Sequence, residues 1–356
     1  MAKTKLTYII QSLGVGGAEV ALLSAIPKLC AEFDFRLVCL KEYDEKLVAQ
    51  LTEEEKKSIK VFSGISAYFQ AYKYVLKLKP DLIISSLWKG SLLASILKLR
   101  NKKISCIQFI HSSTFFHFID KLVLKFAVKQ ADAIFCDSAS SEKFISAFVP
   151  KQTPIEVISF LRFSSPEKFV PKTEIHPKAL FVGRFHSTKR IDRLIRFVAE
   201  LKKEGLLFQV DLYGRDDGTQ QEIVSLIEQL DLEKNVLLKG EVGLSEVKKL
   251  FPQYDFYFQT SDAEGMAMSV VEAMQHGLVC VLTNVGEIKN YAENNENAII
   301  IPAPFDENFS PAINSIKNVF FDIQLYNKIA ENAFNSFKHK EDFPTSLVKT
   351  IKKRIA

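Results

Sequence analysis

Cysteine is scarce in this sequence, and no two cysteines are spaced as a C-x-x-C motif. Most of them lie in apolar runs that are typical of strands, so we expect buried, reduced thiols and therefore a cytoplasmic protein. The five cysteines are Cys30, Cys39, Cys106, Cys136 and Cys280.

Long apolar runs and a strong charge of one sign are also missing. No apolar stretch approaches the length of a membrane span, and the chain passes directly into a strand at Leu6, so we expect neither a transmembrane helix nor a signal peptide. The 47 Lys and Arg and the 42 Asp and Glu leave a net charge of +5. So mild an excess argues against a dedicated nucleic-acid-binding protein, but it permits attraction to anionic lipid or to a phosphorylated substrate.

Motifs that commonly bind metals are missing as well. The sequence has no D-x-D pair, and its six histidines are scattered without an H-x-x-x-H spacing. These patterns supply the carboxylate and imidazole ligands that protein metal sites need. We therefore expect chemistry that needs neither a metal ion nor another resident cofactor.

Strands and helices alternate along most of the chain, which predicts an α/β protein with parallel, doubly wound sheets. A length of 356 residues suits two such domains. A stretch rich in proline and serine interrupts the alternation, so we predict one domain over residues 1–165 and a second over residues 176–339. In the first domain the pattern predicts single helices over residues 46–58 and 115–130.

A glycine-rich turn follows the first predicted strand. Gly14, Gly16 and Gly17 separate that strand, which ends at Ile10, from a predicted helix. A strand, a turn of this kind and a helix start let a phosphate approach backbone amides closely. The G-x-G-G spacing is equally compatible with a tight strand–helix turn that binds nothing.

The stretch from Ser261 to Gly277 holds two glutamates eight residues apart. An aromatic, strand-like run comes before it, and residues 266–275 are strongly helix-forming. This pattern places Glu264 at the helix start, beside backbone N–H groups that suit an anion, and Glu272 about two turns further on. A carboxylate at the second position can accept two hydroxyls, such as those of a ribose. The alternative is an ordinary amphipathic helix with two solvated glutamates.

A basic loop follows the predicted strand that ends at Val182. Arg184 and Lys189 flank this loop, and a helix is predicted from about Ile191. An arginine and a lysine at a strand end can balance the charge of a pyrophosphate without a metal ion. Either residue taken alone is more simply explained as a solvated surface cation.

Two further features lie in the first domain. His111 directly follows a predicted strand, which favours a ligand site, although histidines also cap and hydrogen-bond in ordinary loops. The helix predicted over residues 115–130 carries three lysines four residues apart, and hence on one face, near several phenylalanines. Both a membrane-surface helix and a core helix with a solvated lysine stripe have this pattern. The residues are Lys121, Lys125 and Lys129, with Phe115, Phe116 and Phe118.

Taken in order, these motifs resemble those of retaining glycosyltransferases of the family 4 type, part of glycosyl transferases group 1, which have the GT-B fold. The G-G-A-E of residues 16–19, the G-R-x-x-x-x-K of residues 183–189 and the E-x7-E from Glu264 to Glu272 carry the resemblance. It implies two doubly wound Rossmann-like domains facing each other across a cleft, with the first on the acceptor side. It also implies that a C-terminal helix of about residues 340–356 packs back on the first domain.

The chain departs from the family pattern at several positions. Arg190 stands where glycine is usual, and residues 160–163 read F-L-R-F where the family often has N-G-x-D. A single glycine, Gly286, precedes Glu287 where two glycines are common. We expect the contacts made by these segments to differ from those of the family.

The resemblance implies transfer of a sugar, with retention of configuration, from a nucleotide-sugar donor, expected to carry UDP. Arg184 and Lys189 would hold the pyrophosphate, Glu264 the sugar hydroxyls and Glu272 the ribose, and His111 would contact the sugar. The predicted catalytic residues are thus His111, Arg184, Lys189 and Glu264. The predicted donor-binding residues are Gly16, Gly17, Val242, Gly265, Met266 and Glu272.

The expected acceptor is a glycan or a lipid-linked glycan in the synthesis of cell-surface polysaccharide, lipopolysaccharide or glycolipid. We expect a cytoplasmic enzyme that contacts the inner face of the membrane peripherally and does not bind nucleic acid. Two alternatives stay open: a sugar-nucleotide epimerase on the same architecture, and a non-catalytic protein that binds nucleotide sugars. The G-G-A-E turn and the glutamate pair argue against the epimerase, and the presence of Arg184, Lys189 and Glu264 argues against the binding protein.

Overall fold

The computed structural model describes residues 3–14, 16–115, 117–306 and 308–355. The described residues form two compact units. The first contains the chain up to Arg162 together with the chain from Glu341 onwards, and the second contains Phe163–Lys340.

The first unit is built on a parallel sheet. Its strands are β1 (Lys5–Ile10), β2 (Asp34–Cys39), β3 (Ile59–Val61), β4 (Leu82–Ser86), β5 (Ser105–Ile110), β6 (Ala133–Cys136) and β7 (Ile155–Val157). They lie in the order β3-β2-β1-β4-β5-β6-β7, and each neighbouring pair is parallel. The central strands are buried along almost their whole length, as expected for a sheet covered on both faces.

Helices connect these strands. They are α1 (Gly17–Glu32), α2 (Glu45–Val48), α3 (Glu53–Lys57), α4 (Ala67–Leu78), α5 (Leu87–Arg100), α6 (Phe118–Gln130) and α7 (Ala139–Ser146). The last helix of the chain, α15 (Phe343–Ile355), also belongs to this unit. It packs on α1, where Lys28 Nζ lies 2.8 Å from Thr345 Oγ1, and the ring of Phe343 lies 5.1 Å from that of Phe160.

The second unit repeats this plan. Its strands are β8 (Lys178–Val182), β9 (Gln209–Tyr213), β10 (Val236–Gly240), β11 (Phe256–Gln259), β12 (Val279–Thr283) and β13 (Ile299–Ile301), in the parallel order β10-β9-β8-β11-β12-β13. Its helices are α8 (Ile191–Lys203), α9 (Gln220–Gln229), α10 (Leu244–Leu250), α11 (Met268–Gln275), α12 (Ile288–Tyr291), α13 (Ser310–Phe321) and α14 (Ile323–Asn335). Phenylalanines fill much of the core on one face of this sheet.

The prediction of a single helix over residues 46–58 is wrong. The structure has two short helices there, α2 and α3, because a second helix start occurs at Thr52. The Thr52 hydroxyl accepts the amide of Glu55, and the Glu55 carboxylate accepts the amide of Thr52, so the two residues form a capping box.

Two further helices begin later than predicted. α6 begins at Phe118 rather than at Phe115, because the ring of His117 accepts the amide of Asp120 and caps the helix. α11 begins at Met268 rather than at Met266, since Ala267 adopts a left-handed conformation with φ of 53°.

The cysteines lie largely where the sequence predicts. Cys39, Cys106, Cys136 and Cys280 are buried free thiols on strands, whereas Cys30 is partly exposed. Burial raises the pKa of Cys39 to about 12, so the thiol stays protonated and inert. Among the helices of the described residues, none is both long and apolar enough to cross a bilayer.

Each sheet has one point at which the strand order reverses, between β1 and β4 in the first unit and between β8 and β11 in the second. In doubly wound folds ligands bind at the carboxyl ends of the strands flanking such a point. A ligand site is therefore expected at the segments that follow these four strands.

Candidate functional site

Two strand-end loops in the second unit lie against each other. A Cβ added to Gly214, after β9, would lie 1.8 Å from the carbonyl oxygen of Gly183, after β8, so only glycine fits there. This close approach brings Arg184 to Asp217, with Nη1 2.7 Å from Oδ2. The side chain of Arg184 stays 41% exposed, so its other N–H groups are accessible to a ligand.

Lys189, the other cation of this loop, contacts a different carboxylate. Its Nζ lies 2.8 Å from both oxygens of Glu264, a residue 75 positions further along the chain. The two come together because β8 and β11 are hydrogen-bonded neighbours. The Lys189 side chain is 22% exposed and that of Glu264 only 6%.

Glu264 is held by two more donors that the sequence analysis did not single out. The hydroxyl of Ser261 donates to its Oε1 at 2.5 Å, and the side-chain amide of Gln259 donates to the same oxygen. A buried carboxylate is costly unless it is paired and hydrogen-bonded, and these contacts offset that cost. Polar residues at alternate positions where an apolar strand ends were the signal in the sequence.

The loop after β12 fixes the backbone at Glu264. A Cβ added to Gly286 would lie 2.0 Å from the carbonyl oxygen of Glu264, and Gly286 has φ of +59°. The amide of Glu287 donates to the carbonyl of Gly265 at 3.1 Å. Glycine is therefore required at position 286 for both its size and its conformation.

The start of α11 leaves two adjacent amides available. Within the described residues, neither the N–H of Gly265 nor that of Met266 donates to a protein acceptor. The carbonyl of Met266 is held by the hydroxyl of Tyr291 at 3.1 Å. Free N–H groups at a helix start bind anions, phosphate in particular.

The remaining predicted donor-binding residues of this unit lie within α11 and after β10. Glu272 is buried in α11, and its carbonyl accepts Nδ1 of His276 at 2.7 Å. Val242 follows β10 and is half-buried. The predicted contact of Glu272 with a ribose and the donor-binding role of Val242 stay predictions.

A charged cluster that the sequence analysis missed holds the loop after β11. The buried Arg193 donates to the carbonyl of Thr260 at 2.6 Å and to Asp262 and Asp306 at 2.7 and 2.8 Å. Arg190 contacts the same two carboxylates. Hydrogen bonds from Arg193 and from Arg190 lower the pKa of Asp306 to about 2, so the cluster stays ionised at neutral pH.

In the first unit, His111 follows β5 between the ends of β4 and β6. Its Nε2 lies 2.9 Å from Oγ of Ser86, which in turn is 2.5 Å from the hydroxyl of Tyr8. Its Nδ1 lies 3.6 Å from Asp137 and makes no hydrogen bond. The ring also stacks on Phe109 at 4.3 Å. Both ring nitrogens therefore face protein groups, and sequence analysis missed the strand-end residues that they face.

The glycine-rich turn leads into α1. Gly17 is the first residue of that helix and Gly16 its N-cap. A Cβ added to Gly16 would lie 2.2 Å from a carboxylate oxygen of Glu19, so the Glu19 side chain folds back over Gly16. Val15, the middle residue of this motif, lies outside the described residues.

The structure thus brings some of the predicted site residues together and separates others. Lys189 and Glu264 are in direct contact, with Gly265 and Met266 next in sequence, whereas Arg184 pairs with Asp217. Three further predicted residues lie in the first unit: His111, Gly16 and Gly17. Their roles toward a ligand stay predictions.

Two Rossmann-like α/β units with parallel sheets define the class of GT-B folds, and the predicted fold class is confirmed. Solved structures of GT-B glycosyltransferases are similar to this chain over almost its whole length. One is Anabaena Alr3699/HepE in complex with UDP, with a TM-score of 0.81 and 19% identity over 98% of this chain and 100% of the other. At this identity the likeness establishes the fold.

The family model for glycosyl transferases group 1 matches residues 166–336, which lie within the second unit. The chain is 30% identical, over 35% of its length, to the GtfA subunit of the UDP-N-acetylglucosamine–peptide N-acetylglucosaminyltransferase of Streptococcus pneumoniae. It is also 30% identical, over 34% of its length, to the poly(ribitol-phosphate) alpha-N-acetylglucosaminyltransferase of Staphylococcus aureus. The chain spans 24% of the length of each of these relatives.

Proposed function

We propose that this protein is a retaining glycosyltransferase of the family 4 type that takes a sugar from a UDP-sugar donor. The observation that carries the proposal is the contact of Lys189 with Glu264 at the switch point of the second unit, beside the two available amides. The group 1 domain, which spans this segment, supports it. So do the UDP bound by the Anabaena protein and the UDP-N-acetylglucosamine named for the streptococcal one.

The donor pyrophosphate would bind where the second unit concentrates positive charge and free N–H groups. A phosphate oxygen competes with Glu264 for the ammonium of Lys189, and the amides of Gly265 and Met266 bind the same group. Arg184 adds a second cation at the neighbouring strand end. Glu264, still held by hydrogen bonds from Ser261 and Gln259, then accepts hydrogen bonds from sugar hydroxyls.

In the proposed reaction, the bond between the anomeric carbon and the diphosphate breaks as the acceptor oxygen approaches from the same face. The acceptor proton passes to the departing phosphate oxygen, so no enzymatic base is required. Lys189 and Arg184 stabilise the negative charge that develops on the leaving group. A double displacement would need a carboxylate nucleophile, and Glu264 is poorly suited because Ser261 and Gln259 both donate to its carboxylate.

The acceptor we propose is a glycan or lipid-linked glycan of a cell-surface polysaccharide, in line with the poly(ribitol-phosphate) acceptor named for the staphylococcal relative. Peripheral contact with an anionic membrane would involve α6. Three apolar residues of this helix, Phe118, Ile119 and Leu122, are 71%, 54% and 54% exposed. Lys121 and Lys129 are exposed on the same helix. The pattern suits a surface that combines apolar insertion with attraction to anionic lipid.

A thermal-shift screen against UDP-, GDP-, ADP- and CMP-sugars tests the donor. A ligand that binds the native state at about 100 times its Kd adds about 2.7 kcal/mol to the unfolding free energy, so the expected result is a rise in Tm with a UDP-sugar alone. The same UDP-sugar should also release UDP slowly, as its sugar is transferred to water or to an acceptor. No Tm shift with any of the four, together with no nucleotide release, would overturn the proposal.

We propose that transfer needs no metal ion, since cationic side chains can neutralise the diphosphate. Activity should then survive incubation with EDTA at a concentration that strips bound divalent ions. Complete loss with the chelator, restored by magnesium or manganese, would contradict this part of the proposal and leave the donor assignment untouched.

A further inference from the structure

The carboxyl end of β4 in the first unit carries the chain's single tryptophan, Trp88. β4 flanks the switch point of this sheet, and α5 begins immediately after it. Leu87 has φ of 62°, a conformation that a branched side chain adopts at a cost, so the chain is turned sharply just before Trp88. A Cβ added to Gly90 would lie 2.6 Å from the carbonyl oxygen of Ile9, so glycine lets the first turn of α5 pack against the end of β1.

Trp88 lies in a small group with Lys89 and His117. The Lys89 ammonium lies over the indole at 5.3 Å from its centroid, and the imidazole of His117 meets the indole at 5.6 Å and 87°, edge to face. Trp88 and Lys89 are partly exposed and His117 is exposed. The hydroxyl of Tyr68 donates to the carbonyl of Lys89 at 3.1 Å and ties α4 to this turn.

These three side chains share an excess of hydrogen-bond donors. Within the described part of the chain, neither the indole N–H of Trp88 nor the ammonium of Lys89 has a hydrogen-bond or ion-pair partner. Nδ1 of His117 accepts the amide of Asp120 at 3.0 Å, which leaves the proton of the neutral ring on Nε2. Three donors and an aromatic face thus meet in this group, and among the described residues no acceptor binds the indole N–H or the ammonium.

We propose that Trp88, Lys89 and His117 bind an anionic saccharide, a sugar that bears a carboxylate or a phosphate. This inference rests on the proposed function, and it identifies the bound saccharide as part of the acceptor. Donors without acceptors call for a ligand rich in oxygen, and the ammonium requires that some of that oxygen be charged. The electron-rich face of the indole attracts the positively polarised C–H groups of a sugar ring.

The location supports the same assignment. Ser86, whose hydroxyl contacts His111, the only predicted catalytic residue of this unit, stands two residues before Trp88 in the chain. The lipid surface proposed above uses exposed apolar residues of α6, whereas this group presents polar donors. A soluble saccharide would bind the polar donors, whereas a lipid surface would bind the apolar side chains. An experiment can therefore distinguish the two ligands.

Fluorescence of Trp88 gives a direct test, because the emission of tryptophan from this protein arises at one position. The probes are glucuronic acid, glucose 6-phosphate and, as the neutral counterpart, glucose, each titrated without donor. We expect saturable changes in emission with the two anionic sugars and binding of glucose at least about threefold weaker, the scale of one exposed charge contact. Comparison of the two anions shows whether carboxylate or phosphate is preferred.

Two variants make the test specific. Lys89→Gln should weaken binding of the anionic sugars about three- to tenfold and leave glucose unchanged, as expected when one charge-assisted contact is lost. Lys340→Gln is the matched control, because Lys340 also lies over an aromatic ring, that of Phe337 at 5.0 Å, but in the second unit. It should change nothing.

Equal responses to all three sugars in the wild type, or equal affinities in Lys89→Gln and the wild type, would overturn the inference. A change in emission with phosphatidylglycerol vesicles but with none of the sugars would overturn it too, in favour of a lipid surface. A Tm shift with a UDP-sugar reports donor binding at the site of the second unit. If that shift is seen while the sugars fail to bind at Trp88, this inference fails and the proposed function stands.

Discussion

At the scale of single residues, Lys189 and Arg184 divide the charge of the proposed pyrophosphate site. We predict that Lys189→Ala and Arg184→Ala each remove about 2–4 kcal/mol of transition-state stabilisation, the scale of one preorganised electrostatic donor. The measurement is kcat/KM for the UDP-sugar, with far-UV circular dichroism to verify the fold.

Lys249→Ala is the control for this pair of variants. Lys249 also lies 2.8 Å from a glutamate, Glu246, but both side chains are mostly exposed on α10. Its loss should change kcat/KM by less than about 1 kcal/mol, as for other exposed ion pairs. Near-native turnover of both Lys189→Ala and Arg184→Ala with saturating donor would show the pyrophosphate assignment to be wrong.

His276, just after α11, should make the stability of the second unit depend on pH. Burial, aided by the charge of Lys248, lowers the pKa of His276 below its ordinary value of 6.5, although its hydrogen bond to the carbonyl of Glu272 acts in the opposite direction. The unfolded chain therefore binds a proton more readily than the folded one. This contribution to the unfolding free energy is complete above pH 6.5 and is lost as the pH falls toward the folded-state pKa.

Comparison of Tm between pH 7.5 and pH 5.5 for the wild type and for His276→Gln measures this effect. The wild type should lose more unfolding free energy across that range, by at most about 1.4 kcal/mol per pH unit for one proton. Parallel pH profiles would mean that His276 protonates equally well in the folded chain.

At the scale of elements, the loop after β12 is predicted to fix the loop that carries Glu264. Gly286→Ala should cost roughly 2–4 kcal/mol of unfolding free energy, since the left-handed conformation alone costs about 1–2 kcal/mol and the new Cβ meets backbone. UDP-sugar affinity should fall with it, because the carbonyl of Glu264 must move. Chemical denaturation and a donor titration measure the two effects.

Gly243→Ala is the matched control for that loop. Gly243 is the N-cap of α10, has φ of −66°, and a Cβ there meets nothing within 4 Å. Its substitution should cost no more than about 1 kcal/mol. Equal effects of the two substitutions would show that the contact of Gly286 with Glu264 is unimportant.

The sequence predicted the elements better than the contacts between them. Alternating apolar runs placed most strands, and even the missed start of α3 had a visible signal in Thr52 and Glu55. The pairing of Lys189 with Glu264 could not be predicted, because it depends on β8 lying beside β11. Arg190 has φ of 47°, a conformation that glycine adopts easily, which agrees with its standing where the resembled family has glycine.

At the scale of the whole molecule, α6 is predicted to bind anionic membranes. Each basic residue near such a surface contributes about 1 kcal/mol, and exposed apolar side chains add to it, so binding should be weak, reversible and weaker at high salt. Flotation with phosphatidylglycerol and with phosphatidylcholine vesicles measures it. Phe116, also part of the sequence prediction, lies outside the described residues.

Substitution of Lys121, Lys125 and Lys129 by glutamate should abolish the preference for anionic vesicles. The same substitutions at Lys56, Lys57 and Lys60 change the net charge equally and should have little effect. Flotation no better with anionic than with neutral vesicles would leave the α6 lysines as a solvated helix face.

The discontinuity of the first unit has a consequence for biosynthesis. Phe343, which packs on Phe160, belongs to a helix that follows the whole second unit in the chain. At about 5–20 residues per second, a ribosome delivers this helix roughly 10–40 s after Arg162. The segment that forms the second unit is thus fully synthesised before this helix. The first unit is synthesised first, but the aromatic surface that this helix covers stays exposed until the helix has been made.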